Sequence, residues 1–231
     1  MKILVVITTA FTSTGGLTTV MMNYYRAMNK EGLKIDFAST NVPSQSLLDE
    51  IHVEGSEYYQ LPPRKKIVSY FYRLRRLCKN YDLLHVHGNS STSVLELMAA
   101  NWAGVKRRIV HNHTSRSQHP WINLLLHPFF LMSYTKAIAC SDAAGEWLFG
   151  NKQYQILRNA IKVSCFHYDV SVRQQIRQLL GISDSTFLVG HVGKFMDAKN
   201  HPFVIAVFAE IHRLIPNSKL LLAVSYTHLR A

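Results

Sequence analysis

Residues 2–29 join an apolar run, a glycine pair and an amphipathic segment: Lys2-Ile-Leu-Val-Val-Ile-Thr-Thr-Ala-Phe-Thr-Ser-Thr-Gly-Gly-Leu-Thr-Thr-Val-Met-Met-Asn-Tyr-Tyr-Arg-Ala-Met-Asn29. The β-branched residues of Lys2–Thr8 predict a strand buried on both faces. In Leu17–Asn29 the apolar residues recur at helical spacing. Residues 2–29 therefore predict a strand, a glycine loop and a helix, the first unit of a Rossmann-type α/β fold.

The same alternation of strand and helix continues along the chain and predicts a parallel sheet with helices on both faces. Residues 158–169 lack clear periodicity and read as a connector, after which a second strand–helix unit begins. We expect a complete Rossmann-type domain over residues 1–165 and an incomplete one over 166–224. Residues 225–231 fit poorly after the last strand, and we interpret them as a non-native tail, with a natural short C-terminus as the alternative.

Composition excludes several classes of protein. Among its 231 residues, 48% are apolar and 17% charged, which is typical of a globular protein. The odd number of cysteines, three without C-x-x-C spacing, argues against a disulfide framework. No apolar run is long enough to cross a membrane, and no signal peptide is evident. We expect a cytoplasmic protein.

The formal charge of +12 is concentrated in one segment. Residues 61–116 contain two acidic residues, Asp82 and Glu96, and a much larger set of basic ones: Arg64, Lys65, Lys66, Arg73, Arg75, Arg76, Lys79, Lys106, Arg107, Arg108 and Arg116. Such a patch suits nucleic acid, anionic lipid or phosphorylated substrates, and solvated helix faces explain it equally.

Two loops have the composition of phosphate-binding sites. Gly15 and Gly16 leave backbone N–H groups open at a predicted helix N-terminus. Later, Lys194 and Lys199 follow a strand, with Asn200 at the next helix start; two ammonium groups there would neutralise a departing diphosphate. A plain tight turn and two surface lysines are the alternatives.

Two His-x-His pairs end consecutive predicted strands, His85/His87 and His111/His113. Alternation along a strand places both members of a pair on one face, at the edge where α/β proteins bind ligands. The pairs permit a substrate pocket or a zinc site. We favour the pocket and assign no metal ligand, because no carboxylate lies in either triplet or in its next three residues. Buried structural histidines remain an alternative for His85 and His111.

The segment Pro120–Tyr134 is unusually apolar. Beside a basic helix, such a segment suits the headgroup region of a membrane. An ordinary buried helix fits the pattern equally well.

Several short stretches, taken in their order, resemble a known family. They are Gly15-Gly-Leu17, Leu84-His-Val-His-Gly88, His111-Asn-His-Thr-Ser115, residues 139–150, Arg158-Asn-Ala-Ile161 and residues 190–201. The chain resembles the N-terminal two-thirds of a bacterial family-4 retaining glycosyltransferase of the GT-B fold, of the capsular or exopolysaccharide type.

The resemblance implies transfer of a sugar from a nucleoside-diphosphate donor to a hydroxyl acceptor, with retention and with neither cofactor nor metal. It implies roles for ten residues: His113 beside the transferred sugar as the catalytic residue; Gly15, Gly16, Lys194, Lys199 and Asn200 at the donor diphosphate; His87, Asn89 and Asn112 on the acceptor side; and Asn159 at the domain junction. The implied acceptor is a lipid-linked or polysaccharide hydroxyl at the inner face of an anionic membrane. Nucleic acid is not an expected partner.

The family's pair of glutamates that contact the donor belongs beyond residue 224 and is absent from this sequence. We therefore expect a C-terminally truncated transferase whose 231 residues are weakly active or inactive. Two rival functions remain at this stage: a metal-dependent hydrolase built on the His-x-His pairs, and a non-enzymatic basic module that binds membrane or nucleic acid.

Overall fold

The first strand, the glycine pair and the first helix form as predicted. In a computed structural model, which describes residues 1–117 and 119–223, β1 spans Lys2–Ile7 and α1 spans Gly16–Ala27. Successive residues of β1 face opposite sides of the sheet, and Leu4 through Ile7 are all buried. The tail expected at 225–231 lies outside the described residues.

Seven parallel strands form one sheet in the described part of the first unit, in the order β3-β2-β1-β4-β5-β6-β7. The strands after β1 are β2 (Lys34–Ser39), β3 (Tyr58–Gln60), β4 (Leu83–Gly88), β5 (Arg107–Asn112), β6 (Lys136–Ala139) and β7 (Gln155–Ile156). The chain reverses its direction of winding between β1 and β4. At such a switch point, α/β sheets open a crevice beyond the carboxyl ends of the strands.

Helices cover both faces of this sheet. After α1 they are α2 (Gln45–Val53), α3 (Ile67–Cys78), α4 (Val94–Trp102), which follows a 3₁₀ turn at Ser91–Ser93, α5 (Pro120–Ser133) and α6 (Asp142–Phe149). Ser141 caps α6 by accepting a hydrogen bond from the backbone of Ala144, as its place before that helix predicts.

Two hydrophobic cores lie on opposite faces of the sheet. On one face, Met22 of α1 and Ile51 of α2 pack with Val5 and Phe37. On the other, Tyr70 of α3, Leu97 of α4 and Phe130 of α5 pack with Leu4, Val6 and Leu84. Burial of each such side chain is worth roughly 1.5–3 kcal/mol, so the alternation along β1 and β4 fixes which helices lie on which face.

The second compact unit begins at Val163; the first ends at Lys162. The second unit contains α7 (Val170–Leu179), β8 (Phe187–Val192), α8 (His201–Leu214) and β9 (Ser218–Ala223), and β8 pairs in parallel with β9. This is the predicted second strand–helix unit. The predicted boundary at 165/166, and the acceptor-side and donor-binding roles that the resemblance implies for the first and second domain, stay predictions.

Helix α5 does not behave as an ordinary buried helix. Phe130 is its fully buried residue, whereas Trp121, Leu125 and Met132 are 81%, 71% and 83% exposed. The apolar sequence fitted either an ordinary buried helix or a segment in the headgroup region of a membrane. The first interpretation is wrong for most of the helix. Among the described residues no helix is long and apolar enough to cross a bilayer.

Candidate functional site

The candidate site lies at the carboxyl edge of the first sheet, where β1 and β4 end side by side. Both the backbone N–H and the hydroxyl of Thr8 donate to the carbonyl of His87, at 3.1 and 3.0 Å. Gly88 follows, and a Cβ atom there would come within 2.1 Å of Ser93 Oγ. A glycine is therefore needed for β4 to approach the turn that starts α4.

Four histidines form a row at this edge. His87 is paired in register with His111, and neighbouring ring centroids along the row lie 4.1–5.2 Å apart. His87 Nδ1 and His113 Nε2 share a hydrogen bond of 2.9 Å. His85 and His87 are in register with Val5 and Ile7 of β1, so the row lies on the α1 face of the sheet. The prediction that both His-x-His pairs share one face is confirmed by these distances.

Burial keeps this row uncharged. It lowers the pKa of His85 and of His113 to about 4 and that of His111 to about 2. The pKa of His87 also falls, because of burial and then of repulsion from its three neighbours. At neutral pH the imidazoles are therefore hydrogen-bonding groups and potential ligands rather than cations.

Two cavities flank the row. An apolar cavity of about 170 Å³ lies under α1 and is lined by His85, His87, His111 and the tyrosines Tyr24 and Tyr25. A polar cavity of about 560 Å³ opens beside the carboxyl edge. Its lining consists of hydroxyl, amide and basic side chains: Thr8, Thr9, Arg64, Asn89, Ser90, Thr92, Thr114, Arg116, Ser117 and His119.

The three residues expected on the acceptor side are not equivalent. Asn89 lines the polar cavity, whereas His87 lines the apolar one. Asn112 is fully buried and donates to the carbonyls of Thr114 and Ala144, both at 2.7 Å. This gives Asn112 a structural task, holding the loop that carries His113 and Thr114. The acceptor roles stay predictions.

The glycine loop of the first unit ends at a helix start. Gly15 is the N-cap of α1 in extended conformation, without a side chain to cap the helix. A Cβ atom at Gly15 would meet Thr12 and Thr18 at 3.1–3.3 Å, but one at Gly16 would meet nothing within 4 Å. The space beside Gly16 is therefore open at the start of α1, where an anion is favoured.

In the second unit, the predicted anion loop also precedes a helix. Lys199 ends a 3₁₀ turn, and Asn200 has the left-handed conformation with φ of 44° as the N-cap of α8. Asparagine tolerates this region better than most residues. Lys194 lies in the same loop, directly after Gly193.

Asn159 lies just before the end of the first unit at Lys162. Its neighbours are bound to α1: the Tyr24 hydroxyl donates to the carbonyl of Arg158, and Asn23 Nδ2 donates to that of Ala160 at 2.9 Å. The segment around Asn159 is thereby fixed to the first unit.

Sequence reasoning missed a buried ion pair beside the polar cavity. Glu96 is fully buried and accepts from Arg64 Nε at 2.9 Å, from Arg64 Nη2 at 3.1 Å and from the Tyr70 hydroxyl at 2.8 Å. Arg64 also donates to the carbonyl of Thr92 at 2.9 Å. Because Arg64 stands in a basic run, far from Glu96 in sequence, its pattern indicated surface charge only.

Comparison with known proteins agrees with this architecture. A curated relative, the putative glycosyltransferase EpsF of Bacillus subtilis (strain 168), is 26% identical over 85% of this chain. The chain spans 55% of the length of EpsF.

Two solved structures share the fold of the chain. Anabaena HepE (Alr3699), crystallised in complex with UDP-glucose, is 16% identical with a TM-score of 0.66 over 97% of this chain and 70% of its own. A glycosyltransferase from Rickettsia africae is 11% identical with a TM-score of 0.64 over 96% of this chain and 68% of its own. The α/β fold is thus GT-B-like, as predicted.

The family assignment comes from the first unit itself. Residues 14–162, from the glycine loop to the last residue of that unit, match the sequence model of Glycosyltransferase Family 4. The match includes both His-x-His pairs and covers more than half of the chain. This protein belongs to glycosyltransferase family 4.

Proposed function

We propose that this chain takes part in transferring a sugar from a nucleoside-diphosphate donor to a hydroxyl acceptor, with retention of the anomeric configuration. The observation that carries the proposal is the position of His113 in a family-4 chain. A hydrogen bond of 2.9 Å between His87 Nδ1 and His113 Nε2 holds its ring. The next residue in the chain, Thr114, lines the polar cavity. An imidazole that burial keeps neutral offers a hydrogen bond to a sugar hydroxyl without adding charge.

In the proposed reaction, the anomeric carbon loses its bond to the diphosphate oxygen and gains one to the acceptor oxygen. The acceptor hydroxyl gives up its proton to the departing diphosphate. Negative charge therefore grows on the leaving group, and preorganised N–H groups and ammonium groups stabilise it. Each unit by itself offers such groups, the first at Gly15 and Gly16 and the second at Lys194, Lys199 and Asn200. The complex of HepE with UDP-glucose supports a uridine nucleotide as the first donor to test.

We assign the acceptor to the polar cavity of the first unit. Asn89 and the threonines there suit the hydroxyls of a sugar, and Arg116 suits an anionic group attached to it. A lipid-linked sugar diphosphate combines both features. Such an acceptor would lie at the inner face of the cell membrane, which agrees with the exposed apolar surface of α5.

The test is a transfer assay with the protein in excess over a UDP-sugar and a lipid-linked acceptor. Excess protein is used because the sequence predicts weak activity or none for these 231 residues. We expect a product with the anomeric configuration of the donor, measured by NMR, and a rate at least about 100-fold lower for His113→Ala. His52→Ala, at an exposed position on α2, is the matched control. An inverted product, or transfer by His113→Ala at the wild-type rate, would contradict the proposal.

A further inference from the structure

The histidine row has a second feature that sugar transfer does not use. His85, His87 and His111 each bring one ring nitrogen within 4.8 Å of the other two, and no other metal-type cluster of this kind occurs among the described residues. His87 and His111 are only 4% and 1% exposed. Two members sit at alternate positions of β4, and the third is in register on β5, so the backbone of two paired strands fixes their spacing.

The ring nitrogens of this cluster are incompletely satisfied. Within the described structure, His85 Nε2 and both ring nitrogens of His111 are buried without a hydrogen-bond partner. His87 uses Nδ1 for its bond to His113, which leaves its Nε2 as the available ligand atom. Buried polar atoms normally have partners, and an exception calls for an explanation.

Three neutral imidazoles are a ligand set for transition metals. Zinc takes nitrogen ligands at about 2.0–2.1 Å, and three histidines with an open fourth position hold it in carbonic anhydrase. A tetrahedral site with bonds of that length places its nitrogen atoms about 3.3–3.4 Å apart. The three rings, whose nitrogen atoms lie within 4.8 Å of one another, must therefore draw together when the ion binds.

We propose that His85, His87 and His111 form a binding site for a divalent transition metal ion, with Zn²⁺ as the representative. Imidazole ligation suits zinc, copper, nickel and cobalt and disfavours magnesium and calcium. The open coordination position would face the apolar cavity under α1, which these same three residues line. His113 is a positioning residue here, because its bond to His87 orients that ligand. The proposed sugar transfer does not involve this ion.

The experiment titrates the untagged full chain, freed of metal, with Co²⁺ and then with Zn²⁺, without any sugar donor. We expect visible Co²⁺ absorption bands that saturate at one ion per chain, displacement by Zn²⁺, and a higher melting temperature with Zn²⁺. His85→Gln and His111→Gln should each weaken binding more than about 100-fold, and His113→Gln by about 10- to 100-fold, the usual cost of losing an orienting partner.

The control is His167→Gln, at an exposed histidine of the second unit, which should leave Co²⁺ binding unchanged. Folded wild-type protein that shows neither Co²⁺ bands nor a Zn²⁺-dependent melting shift would overturn the proposal. Undiminished binding in both His85→Gln and His111→Gln would also overturn it. If His111→Gln does not fold, undiminished Co²⁺ binding in His85→Gln alone overturns the proposal. No sugar transfer is measured, so failure here leaves the transferase proposal standing.

Discussion

At the scale of single residues, burial decides what an ion pair contributes. Glu96 and Arg64 form a two-pronged pair whose carboxylate is fully buried. Glu50 and Arg26 form the same two-pronged arrangement, at 2.6 and 2.8 Å, but their side chains are 32% and 52% exposed. The chain thus contains one buried and one exposed ion pair of the same geometry. Comparing them separates the effect of burial on stability from the effect of geometry.

We predict that Glu96→Ala lowers the free energy of unfolding by about 3–5 kcal/mol, because it leaves the Arg64 guanidinium largely buried without its counter-charge. The Tyr70 hydroxyl would lose its acceptor as well. Glu50→Ala is the matched control and should cost less than about 1 kcal/mol, since solvent screens that pair. Urea unfolding followed by circular dichroism measures both. Equal losses in the two variants would show that burial is not the deciding factor.

Gly16 gives a second test at this scale. Because a Cβ atom there meets nothing within 4 Å, Gly16→Ala should leave the melting temperature unchanged or raise stability by up to about 1 kcal/mol. If a donor diphosphate approaches the start of α1, the added methyl group should nevertheless weaken UDP binding severalfold. Calorimetric titration with UDP measures this. Unchanged UDP affinity in the folded variant would remove Gly16 from the donor site.

At the scale of elements, α5 and α3 carry exposed apolar and exposed basic side chains, the two kinds that an anionic membrane binds. Helix α5 exposes Trp121, Leu125 and Met132. It packs against α4, and α4 packs against α3, whose exposed basic residues include Arg73 and Arg76. Apolar side chains enter the headgroup layer while nearby basic groups attract anionic lipid.

We predict that the protein binds vesicles containing phosphatidylglycerol and not neutral vesicles, with binding that weakens as salt is added. Trp121→Ser should reduce vesicle affinity about tenfold or more, since burial of a large apolar side chain is worth roughly 1.5–3 kcal/mol. Val53→Ser, at an 86% exposed position on α2, is the control. Sedimentation with vesicles measures the three proteins. Equal affinity for neutral and anionic vesicles would contradict the prediction.

The elements were predictable from sequence because each repeats a short-range pattern. A continuous apolar run predicted β1, and helical spacing predicted α1. The side of the sheet on which each histidine lies also follows from strand alternation. The exposure of α5 does not follow, because an apolar segment has the same pattern whether it packs against protein or lipid. The Arg64–Glu96 pair was beyond prediction for a different reason: its partners are distant in sequence and no local pattern joins them.

At the scale of the whole molecule, the histidine row links stability to pH. The row stays neutral in the folded protein, with the pKa of His85 and His113 lowered by burial to about 4 and that of His111 to about 2. In the unfolded chain each of these groups has a pKa near 6.5. Between about pH 6.5 and pH 4 the unfolded state therefore binds more protons than the folded state, and stability falls as the pH is lowered.

We predict that the metal-free protein, kept in a chelator, loses stability steeply below about pH 6.5, by up to about 1.4 kcal/mol per pH unit for each histidine that stays neutral. His85→Gln should reduce this slope by up to about 1.4 kcal/mol per pH unit, the contribution of one histidine, because glutamine takes up no proton in either state. His167→Gln, at an exposed position of the second unit, is the control and should keep the wild-type slope. Urea unfolding at several pH values between 4 and 8 measures these slopes. A His85→Gln slope equal to that of wild type would mean that His85 is already protonated in the folded protein, and its burial would then not be the source of acid sensitivity.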